Sequence, residues 1–473
     1  MRAPNSRGIF LPAGPGNPVG QNEWIPGEDN PALREARSPN LYIGRGAAGR
    51  GAIVVLVAGM LLVGCETQRA TIATAPTAKP DADADATVDV TELGATPQTP
   101  VAKTNGTLGG PLAGLDAAEL ARFEAGRDDF AEEETVDDGI GPVFNEHSCA
   151  TCHDAPVGGT TGRTETRFGR MIGGVFDPLT ERGGSLLQDH AIGMVAGAAG
   201  TFTFVPEVVP PEANVRALRL TTPLFGLGLV DAVPDAAFLA LARLEAFYSP
   251  ATRGRPSMVT EIGTGATRVG RFGWKAQVPT LHQFSGDAYL NEMGVTSPEF
   301  PNENCPQGDC GLLVFNPQPG LNNDGTDVDR FTDFMKLLGP PQRNPDRVFH
   351  AQAGENAFRR IGCANCHTPA LVTGYSPVAA LSHKVFQPYS DFLLHDMGRL
   401  GDGIAQGGAG VREMRTAPLW GLSARTTYLH DGRARSVQDA ILAHGGQGAD
   451  ARARYERLNP VIRAAVLSFL STL

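Results

Sequence analysis

The chain has 473 residues with a formal net charge of −11, and only 19% of its residues are charged. This length allows two or three domains, and the acidic balance argues against a basic surface that binds nucleic acid. The chain contains 58 glycines and 36 prolines, whereas aromatic residues make up 7%. The composition therefore indicates a protein rich in turns and loops, with a modest supply of large side chains for its core.

An N-terminal leader is the first predicted element. Ala52–Val63 is a continuous apolar run that follows two arginines and leads into Leu-Val-Gly-Cys, ending at Cys65. The run is shorter than the ~20 residues that span a bilayer, and its basic flank is typical of a signal peptide. Leu-Val-Gly-Cys resembles the bacterial lipobox. We therefore predict a leader over 1–64, a lipid anchor at Cys65 on the periplasmic side of a bacterial membrane, and a flexible linker over 65–105.

Two copies of one cysteine motif dominate the remaining sequence, Cys-Ala-Thr-Cys-His at 149–153 and Cys-Ala-Asn-Cys-His at 363–367. C-x-x-C-H is the attachment motif of c-type haem, in which both thiols bond to the haem and the histidine binds the iron. A four-cysteine zinc site or a thioredoxin-like pair requires no histidine after each pair. The sequence therefore predicts two covalent haems, held by Cys149, Cys152 and His153 and by Cys363, Cys366 and His367.

The two motifs belong to a degenerate internal repeat. Phe144 and Phe358 each stand five residues before the first cysteine of a motif. We predict two cytochrome-c-like haem domains, at 106–340 and 341–473, each with a helix leading into its haem. The first domain carries a long, loop-rich insertion. The predicted fold class is mainly α.

Three further segments are predicted to be helical. Asp235–Phe247 and Asp327–Leu338 carry apolar residues at helical spacing. Near the C-terminus, Asn459 has the character of an N-cap, and Pro460 suits the first position of an amphipathic helix. A C-terminal helix packed on a haem unit fits a cytochrome c architecture.

Two smaller features of the insertion have competing interpretations. Asp324, Asp327 and Asp329 lack the ligand spacing of a calcium loop, so we interpret them as charges at a helix start, and the sequence does not support calcium as a cofactor. In an oxidising compartment, Cys305 and Cys310 are expected to form a local disulfide, the alternative being two free thiols.

The ligand on the opposite side of the second iron is sought among His383, His395, Met397, Met414, His430 and His444. Ser436 and Asp439 form a capping-box pattern that begins a short helix, and Gly445 ends it. This helix places His444 on an apolar face, where an unpaired imidazole nitrogen is costly unless a metal ion binds it. We therefore favour His444 as an iron ligand, with a core histidine bonded to a backbone carbonyl as the alternative. For the first iron the candidates are Met171, His190, Met194 or an open position.

Several segments resemble one protein family. The segments 221–235, 270–281, 292–301, 333–341, 387–398 and 415–446 are similar to the di-haem oxidoreductase, putative peroxidase family, which is related to bacterial dihaem cytochrome c peroxidases. The resemblance covers residues 106–473. It implies a mostly α-helical, periplasm-facing protein with one c-type haem in each domain.

The resemblance also exposes two departures. In the peroxidases, a methionine ligand follows a Tyr-x-His-[Asp/Asn]-Gly segment, which is Tyr428–Gly432 here, and the corresponding position holds His444. Histidine in place of methionine implies a centre of lower potential. The peroxidases also carry a distal histidine shortly after the first motif, and His190 stands considerably further along this chain.

These features predict an exported dihaem c-type oxidoreductase of peroxidase-like character. Electrons would arrive from a small electron-transfer protein or a quinol-linked donor at the His367/His444 haem and reduce a substrate at the His153 haem. Trp274 and Trp420 are candidates for a place between the haems, with simple core packing as the alternative. The competing functions are an electron-transfer cytochrome without substrate chemistry and an oxidase acting on a protein or polymer.

Overall fold

The computed structural model describes residues 108–343 and 345–473. The predicted leader at 1–64, the lipid anchor at Cys65 and the linker at 65–105 lie outside the described residues. Within the described ranges, every helix falls short of the length and apolar character required of a membrane span.

Helices in this part of the chain are distributed over both predicted haem domains. They are α1 Ala117–Phe130, α2 Cys149–Cys152, α3 Leu227–Asp231, α4 Asp235–Tyr248, α5 Leu281–Met293, α6 Thr326–Leu337, α7 Pro345–Arg360, α8 Val437–Ala443, α9 Ala449–Arg457 and α10 Pro460–Leu470. The predicted helices at 235–247, 327–338 and the C-terminus are confirmed as α4, α6 and α10. Asn459 caps α10, because its side chain accepts a hydrogen bond from the Ile462 backbone N–H.

Short antiparallel ribbons connect the helices. The strands are β1 Val143–Phe144, β2 Thr164–Ile172, β3 Val175–Asp177, β4 His190–Ala191, β5 Met194–Gly197, β6 Gly200–Thr203, β7 Val215–Leu220, β8 Ser257–Thr260, β9 Thr267–Gly270, β10 Leu371–Val372, β11 Val385–Phe386, β12 Leu394–Asp396 and β13 Glu413–Arg415. The longest strands form a three-stranded sheet in the order β3-β2-β7. The other pairs are β1-β4, β5-β6, β8-β9, β10-β11 and β12-β13.

The prediction of a mainly α fold is wrong, because helices account for only 35% of the structure and strands for 16%. The error lies mostly in the insertion, where β2 pairs with β7 over six residues of each strand. The β2-β3 hairpin turns at Gly173 and Gly174, whose positive φ angles of 57° and 87° suit a tight two-residue hairpin turn. Glycine-rich sequence that we interpreted as loop therefore forms sheet.

Helices α1, α5 and α6 pack around the first hydrophobic core. Phe123, Phe130 and Phe334 are buried in this core, and the rings of Phe130 and Phe334 lie 4.9 Å apart. Phe144 of the internal repeat belongs to the same core, and Cys149 packs against it. The core therefore supports the first C-x-x-C-H motif from behind.

A second, smaller core joins α7 to α10. The rings of Phe358 and Phe469 lie 5.3 Å apart, and Tyr389 lies 5.5 Å from Phe469. Cys363 packs against this core. Each phenylalanine of the repeat thus lies in the core against which the first cysteine of its own motif packs.

The structure also answers the two open questions about the insertion, namely the role of its acidic group and the state of its two cysteines. Asp327 and Asp329 lie in the first turn of α6, as expected for helix-start charges. Asp324 accepts a hydrogen bond from the Thr326 backbone N–H at 3.0 Å. Cys305 and Cys310 form the expected disulfide bond.

A buried ionic cluster connects the insertion to the later part of the chain. Both side-chain oxygens of Asp402 are engaged, one by Lys275 at 2.8 Å and the other by Arg219 at 2.8 Å. The side chains of Asp402 and Lys275 have no exposed surface, and that of Arg219 is 2% exposed. Asp402 therefore neutralises cations that would be very unfavourable alone in the interior.

We predict that Asp402→Ala destabilises the protein strongly, because it leaves Lys275 buried without its ion-pair partner and leaves Arg219 with only the more distant Glu165, at 3.9 Å. The expected loss in the free energy of unfolding is about 3–5 kcal/mol. Chemical denaturation of the haem-loaded protein measures this loss. Asp450→Ala is the control, since Asp450 forms only an exposed 4.0 Å pair with Arg454 and should change stability by less than about 1 kcal/mol. Equal effects of the two substitutions would contradict the structural role of Asp402.

Candidate functional site

The first C-x-x-C-H motif folds into a single helical turn. The Ser148 hydroxyl accepts a hydrogen bond from the Ala150 backbone N–H at 3.2 Å, and thereby caps α2. The His153 backbone N–H donates to the Cys149 carbonyl at 3.0 Å. This turn brings the two thiols and the imidazole of the motif to one side of the chain.

The second motif forms a similar turn by a different route. Gly362, with φ of 94°, starts a 3-10 turn over Cys363–Asn365. The His367 backbone N–H donates to the Cys363 carbonyl at 3.0 Å, the same hydrogen bond as in the first motif. The local geometry of the two predicted haem-binding motifs is therefore matched.

A cavity of about 300 Å³ opens beside the first motif. Its wall combines the motif's own Cys149, Cys152 and His153 with apolar side chains and a group of charged residues. The lining residues outside the motif include Phe130, Asn145, Glu165, Arg167, His190, Arg219, Gly273, Trp274 and Glu292.

His153 has the properties required of a metal ligand. Its Nδ1 atom is buried and has no hydrogen-bond partner among the described residues. Burial lowers the pKa of His153 to about 4, so the imidazole is neutral near pH 7. A neutral imidazole offers a lone pair to a metal ion, and metal binding would satisfy the buried ring.

The cysteines of both motifs are held as neutral thiols. Burial raises the pKa of Cys149 far above its usual range and that of Cys152 to about 12. Burial likewise raises the pKa of Cys363 to about 12 and raises that of Cys366. Zinc sites and reactive cysteines use thiolates, which such surroundings disfavour. The arrangement suits a thioether to an apolar cofactor better than either alternative.

At the second motif, His367 and His444 face one another. Nδ1 of His367 donates to the Tyr389 carbonyl at 3.0 Å, and Nδ1 of His444 donates to the Ala440 carbonyl at 2.7 Å. The ring centroids are 6.4 Å apart. Two imidazoles on opposite sides of one metal ion would have centroids separated by about 6 Å, since metal–nitrogen bonds are about 2 Å long. The residues present therefore fit a haem ligated on both faces.

The predicted capping and the local position of His444 are found with one difference. The Ser436 hydroxyl accepts from the Asp439 backbone N–H at 3.0 Å, and α8 then runs to Ala443. His444 is the C-cap residue rather than part of the helix. The hydrogen bond from its Nδ1 to the Ala440 carbonyl is the bond expected of a core histidine, the alternative to iron ligation. That bond leaves Nε2 free to bind a metal ion. Hydrogen bonds of this kind commonly orient metal-ligating histidines.

The other candidates for the second iron have different surroundings. His395 is buried, and its Nε2 lies 2.9 Å from an Asp391 oxygen, while its Nδ1 lies 3.5 Å from the Cys366 sulfur. Although burial opposes protonation, Asp391 raises the pKa of His395 to about 11. Ligand atoms of Cys366, Asp391 and His395 lie within 4.8 Å of one another, a spacing that a metal ion could accept. Met414 pairs across β13 and β12 with His395, and His430 makes an edge contact with Trp274 at 6.3 Å.

Of the three candidates for the first iron, His190 lines the cavity whereas Met171 and Met194 do not. His190 lies in β4 opposite Phe144, and its ring stacks on Phe144 at 5.6 Å. Its Nδ1 lies 2.8 Å from an Asp189 oxygen. Met194 is 75% exposed.

The cavity also contains a carboxylate pair that the sequence analysis missed. Arg167 binds Glu165 through two hydrogen bonds, of 2.8 and 2.9 Å, and Asn145 donates to Glu292 at 2.7 Å. Burial and the nearby Glu165 charge raise the pKa of Glu292, whereas Arg167 overcomes the effect of burial and lowers the pKa of Glu165. One carboxyl group thus holds a proton beside an ionised one. The only sequence signal was the Glu-x-Arg spacing, which places both side chains on one face of a strand.

The two tryptophans have different positions. Trp274 lines the cavity, and its Nε1 donates to the Leu220 carbonyl at 2.7 Å. Trp420 is buried in the first core, with its ring 5.9 Å from Phe386. Core packing therefore describes Trp420, and Trp274 has the place nearer to the predicted first haem.

The chain has two matched C-x-x-C-H turns, and the histidine of each turn is buried and neutral. These are the features of a protein that binds two haems. The family model described as "Di-haem oxidoreductase, putative peroxidase" matches residues 212–473. The chain belongs to this family, and it is accordingly a peroxidase-like oxidoreductase with two haems. The matched region includes the motif at 363–367 and begins after the motif at 149–153.

Three solved structures are similar to this chain at low identity. Hydrazine synthase of Kuenenia stuttgartiensis is 15% identical, covering 80% of this chain and all of its own, with a TM-score of 0.30. A MauG-like protein associated with microbial copper homeostasis is 13% identical over 81% of this chain and 95% of its own, with a TM-score of 0.34. The diheme peroxidase BthA of Burkholderia thailandensis is 14% identical over 80% and 94%, with a TM-score of 0.32. No curated protein sequence matches the chain.

Proposed function

We propose that this chain is an exported dihaem c-type oxidoreductase that reduces a peroxide at the His153 site with electrons received at the His367/His444 site. The observation that carries the proposal is the difference between the two sites. The rings of His367 and His444 lie 6.4 Å apart at the second site, a separation that suits two ligands of one iron. His153 instead borders a cavity that also holds Glu165 and Glu292. The second site suits electron storage, and the first suits a substrate.

The cofactors are assigned to the two motifs by residue. Cys149 and Cys152 would attach one haem covalently and Cys363 and Cys366 the other, with iron bound by His153 and by the His367/His444 pair. When bound, haem iron supplies one-electron chemistry and, at an open position, a binding site for substrate.

The side chains of the cavity supply proton chemistry. Glu292 holds a proton in the cavity, and it can deliver that proton to a substrate oxygen. Asn145 fixes the orientation of this carboxyl group through its 2.7 Å hydrogen bond. Glu165, kept ionised by Arg167, favours the protonated form of Glu292 and can accept a proton in turn.

The cellular setting of the proposal follows from the sequence. Attachment of c-type haem accompanies export, and the N-terminal segment has the pattern of a leader followed by an acylated cysteine at Cys65. A lipid-anchored, periplasm-facing protein would receive electrons from a small electron-transfer protein or a quinol-linked donor.

An electron-transfer cytochrome without substrate chemistry is the second candidate function, and the position of His190 favours it. His190 lines the cavity beside the first motif. Coordination by this residue would occupy the position that a substrate needs. The spin state of the first iron distinguishes the two functions, because a five-coordinate iron is high-spin and a bis-histidine iron is low-spin.

The haem assignment predicts that Cys149→Ala combined with Cys152→Ala removes one covalently bound haem, because no thiol remains to hold it. The Cys363→Ala and Cys366→Ala pair should remove the other. The pyridine haemochrome assay after acid-acetone extraction counts the haems. Cys305→Ala with Cys310→Ala, which removes the disulfide, is the control and should retain both. A single covalent haem in the unmodified protein would refute the assignment.

The ligand assignment predicts that His444→Met raises the potential of one haem, since a thioether ligand stabilises ferrous iron relative to imidazole. His444→Ala should open that iron to cyanide. Spectroelectrochemical titration and cyanide binding measure the two effects. His383→Ala, which changes an exposed histidine of the same region, should alter neither. Unchanged haem spectra in His444→Ala would identify a different ligand.

The catalytic assignment predicts that hydrogen peroxide oxidises both haems of the reduced protein, and that Glu292→Gln slows this reaction by roughly 100-fold or more. In the unmodified protein the rate should fall as pH rises through the raised pKa of Glu292, because the proton is lost. Stopped-flow spectroscopy measures both effects.

Glu303→Gln is the matched control, because burial also raises the pKa of Glu303 but this residue does not line the cavity. It should leave the peroxide reaction unchanged. Negligible peroxide reaction of the fully loaded, unmodified protein would favour the electron-transfer cytochrome.

A further inference from the structure

Arg415 is a buried arginine without the acidic partner that other buried arginines of this protein have. Arg219 and Arg271 are equally buried, and they form ion pairs with Asp402 and Asp235. Arg415 is 7% exposed and makes no ion pair with any residue that the structure describes. Its guanidinium donates only to backbone carbonyls, at Gly273 (2.7 Å) and Thr416 (3.2 Å).

A second arginine, Arg425, is partly buried nearby and likewise makes no ion pair with a described residue. Its Nε atom is buried and has no hydrogen-bond partner in the described part of the chain. The Tyr428 hydroxyl donates to the Arg425 carbonyl at 2.8 Å and so fixes the loop that carries the side chain. Burial, and for Arg415 also the charge of Arg425, lowers the pKa of both arginines to about 10. Both guanidiniums are still charged at neutral pH.

Asp391 is the acidic residue whose charge acts on Arg415, and its oxygens are already engaged. One oxygen lies 2.9 Å from His395, and the other accepts from the Leu393 backbone N–H at 2.8 Å. Two neighbouring cations without an ion-pair partner among the described residues are unfavourable where they are shielded from water. One carboxylate for each guanidinium would therefore stabilise this position.

Residues beside Arg415 and Arg425 contact the second cysteine motif or the core that supports it. Leu422, which precedes Arg425 in the chain, belongs to the core against which Cys363 packs, and Tyr428, which follows Arg425, packs against the same core. On the Arg415 side, the Asp391 backbone N–H donates to the Cys366 carbonyl at 3.0 Å. A cofactor attached to Cys363 and Cys366 would lie beside these two arginines.

We propose that Arg415 and Arg425 bind the two propionate groups of the haem at the second motif. Haem carries two carboxylates on one edge, which matches the number and sign of the missing charges, and arginine pairs well with carboxylates. This inference rests on the proposed assignment of a haem to Cys363, Cys366 and His367. Its consequence is that the two guanidiniums shield the propionate charge and favour the reduced state of that haem.

The test is the reduction potential of the low-spin, bis-histidine haem in Arg425→Gln. Removing the cation leaves propionate charge uncompensated, which should lower the potential and change the equilibrium constant for reduction by about tenfold or more. Arg425→Lys should restore most of the loss, because it restores the charge. Arg415→Lys, which keeps the charge but not the planar fork, should give a smaller decrease. Arg457→Gln, an exposed arginine of α9, is the control and should leave the potential unchanged.

The outcomes separate this inference from the proposed function. A haem count below two in the unmodified protein would overturn both. Two haems with an unchanged potential in Arg425→Gln, or a shift confined to the other haem, would overturn only the propionate assignment. A free anion is the other source of the missing charge. If sulfate or acetate, added at constant ionic strength, shifts the potential of the unmodified protein, then the arginines bind a solvent anion and the assignment fails.

Discussion

Burial without charge is the condition on which both candidate haem sites depend. Desolvation lowers the pKa of His153 and of His367 to about 4, so both imidazoles are neutral near pH 7. The same desolvation keeps the neighbouring thiols protonated. The aromatic cores produce this environment, since Phe144 and Phe358 lie in the cores against which the first cysteine of each motif packs. The C-x-x-C-H turn supplies the donors, and the core behind it determines their protonation state.

The local parts of this arrangement could be predicted from the sequence. C-x-x-C-H is decided by five consecutive residues, and capping by Ser436 or Asn459 depends on backbone groups three positions away. The position of His444 could be predicted because a capped short helix ending at glycine restricts where the next residue lies. Such features need no knowledge of distant chain segments, which explains why α4, α6, α10 and the 305–310 disulfide were predicted close to where they occur.

Features that need long-range pairing could not be predicted in the same way. The pairing of β2 with β7 joins segments about fifty residues apart, and neither strand has the strict apolar alternation of a half-buried strand. The Gly173-Gly174 dipeptide is a hairpin signal, but in a chain with 58 glycines such a signal is unspecific. The Glu165 and Glu292 pair is a consequence of this missed sheet, because β2 carries Glu165 to the cavity and α5 carries Glu292 there.

The interior holds its charges in three ways, and the third is informative about the cofactor. Asp402 is neutralised by cations of the chain itself, Lys275 and Arg219. Glu292 is neutralised by a proton, because burial and Glu165 oppose its ionisation. Arg415 and Arg425 are neither paired with a carboxylate of the described residues nor neutralised by a change of protonation. An arginine does not lose its proton readily, and Asp391 is engaged by His395. The chain pairs its buried Arg219 and Arg271 with carboxylates but leaves Arg415 and Arg425 without one, and the two propionates of the proposed haem would complete the balance there.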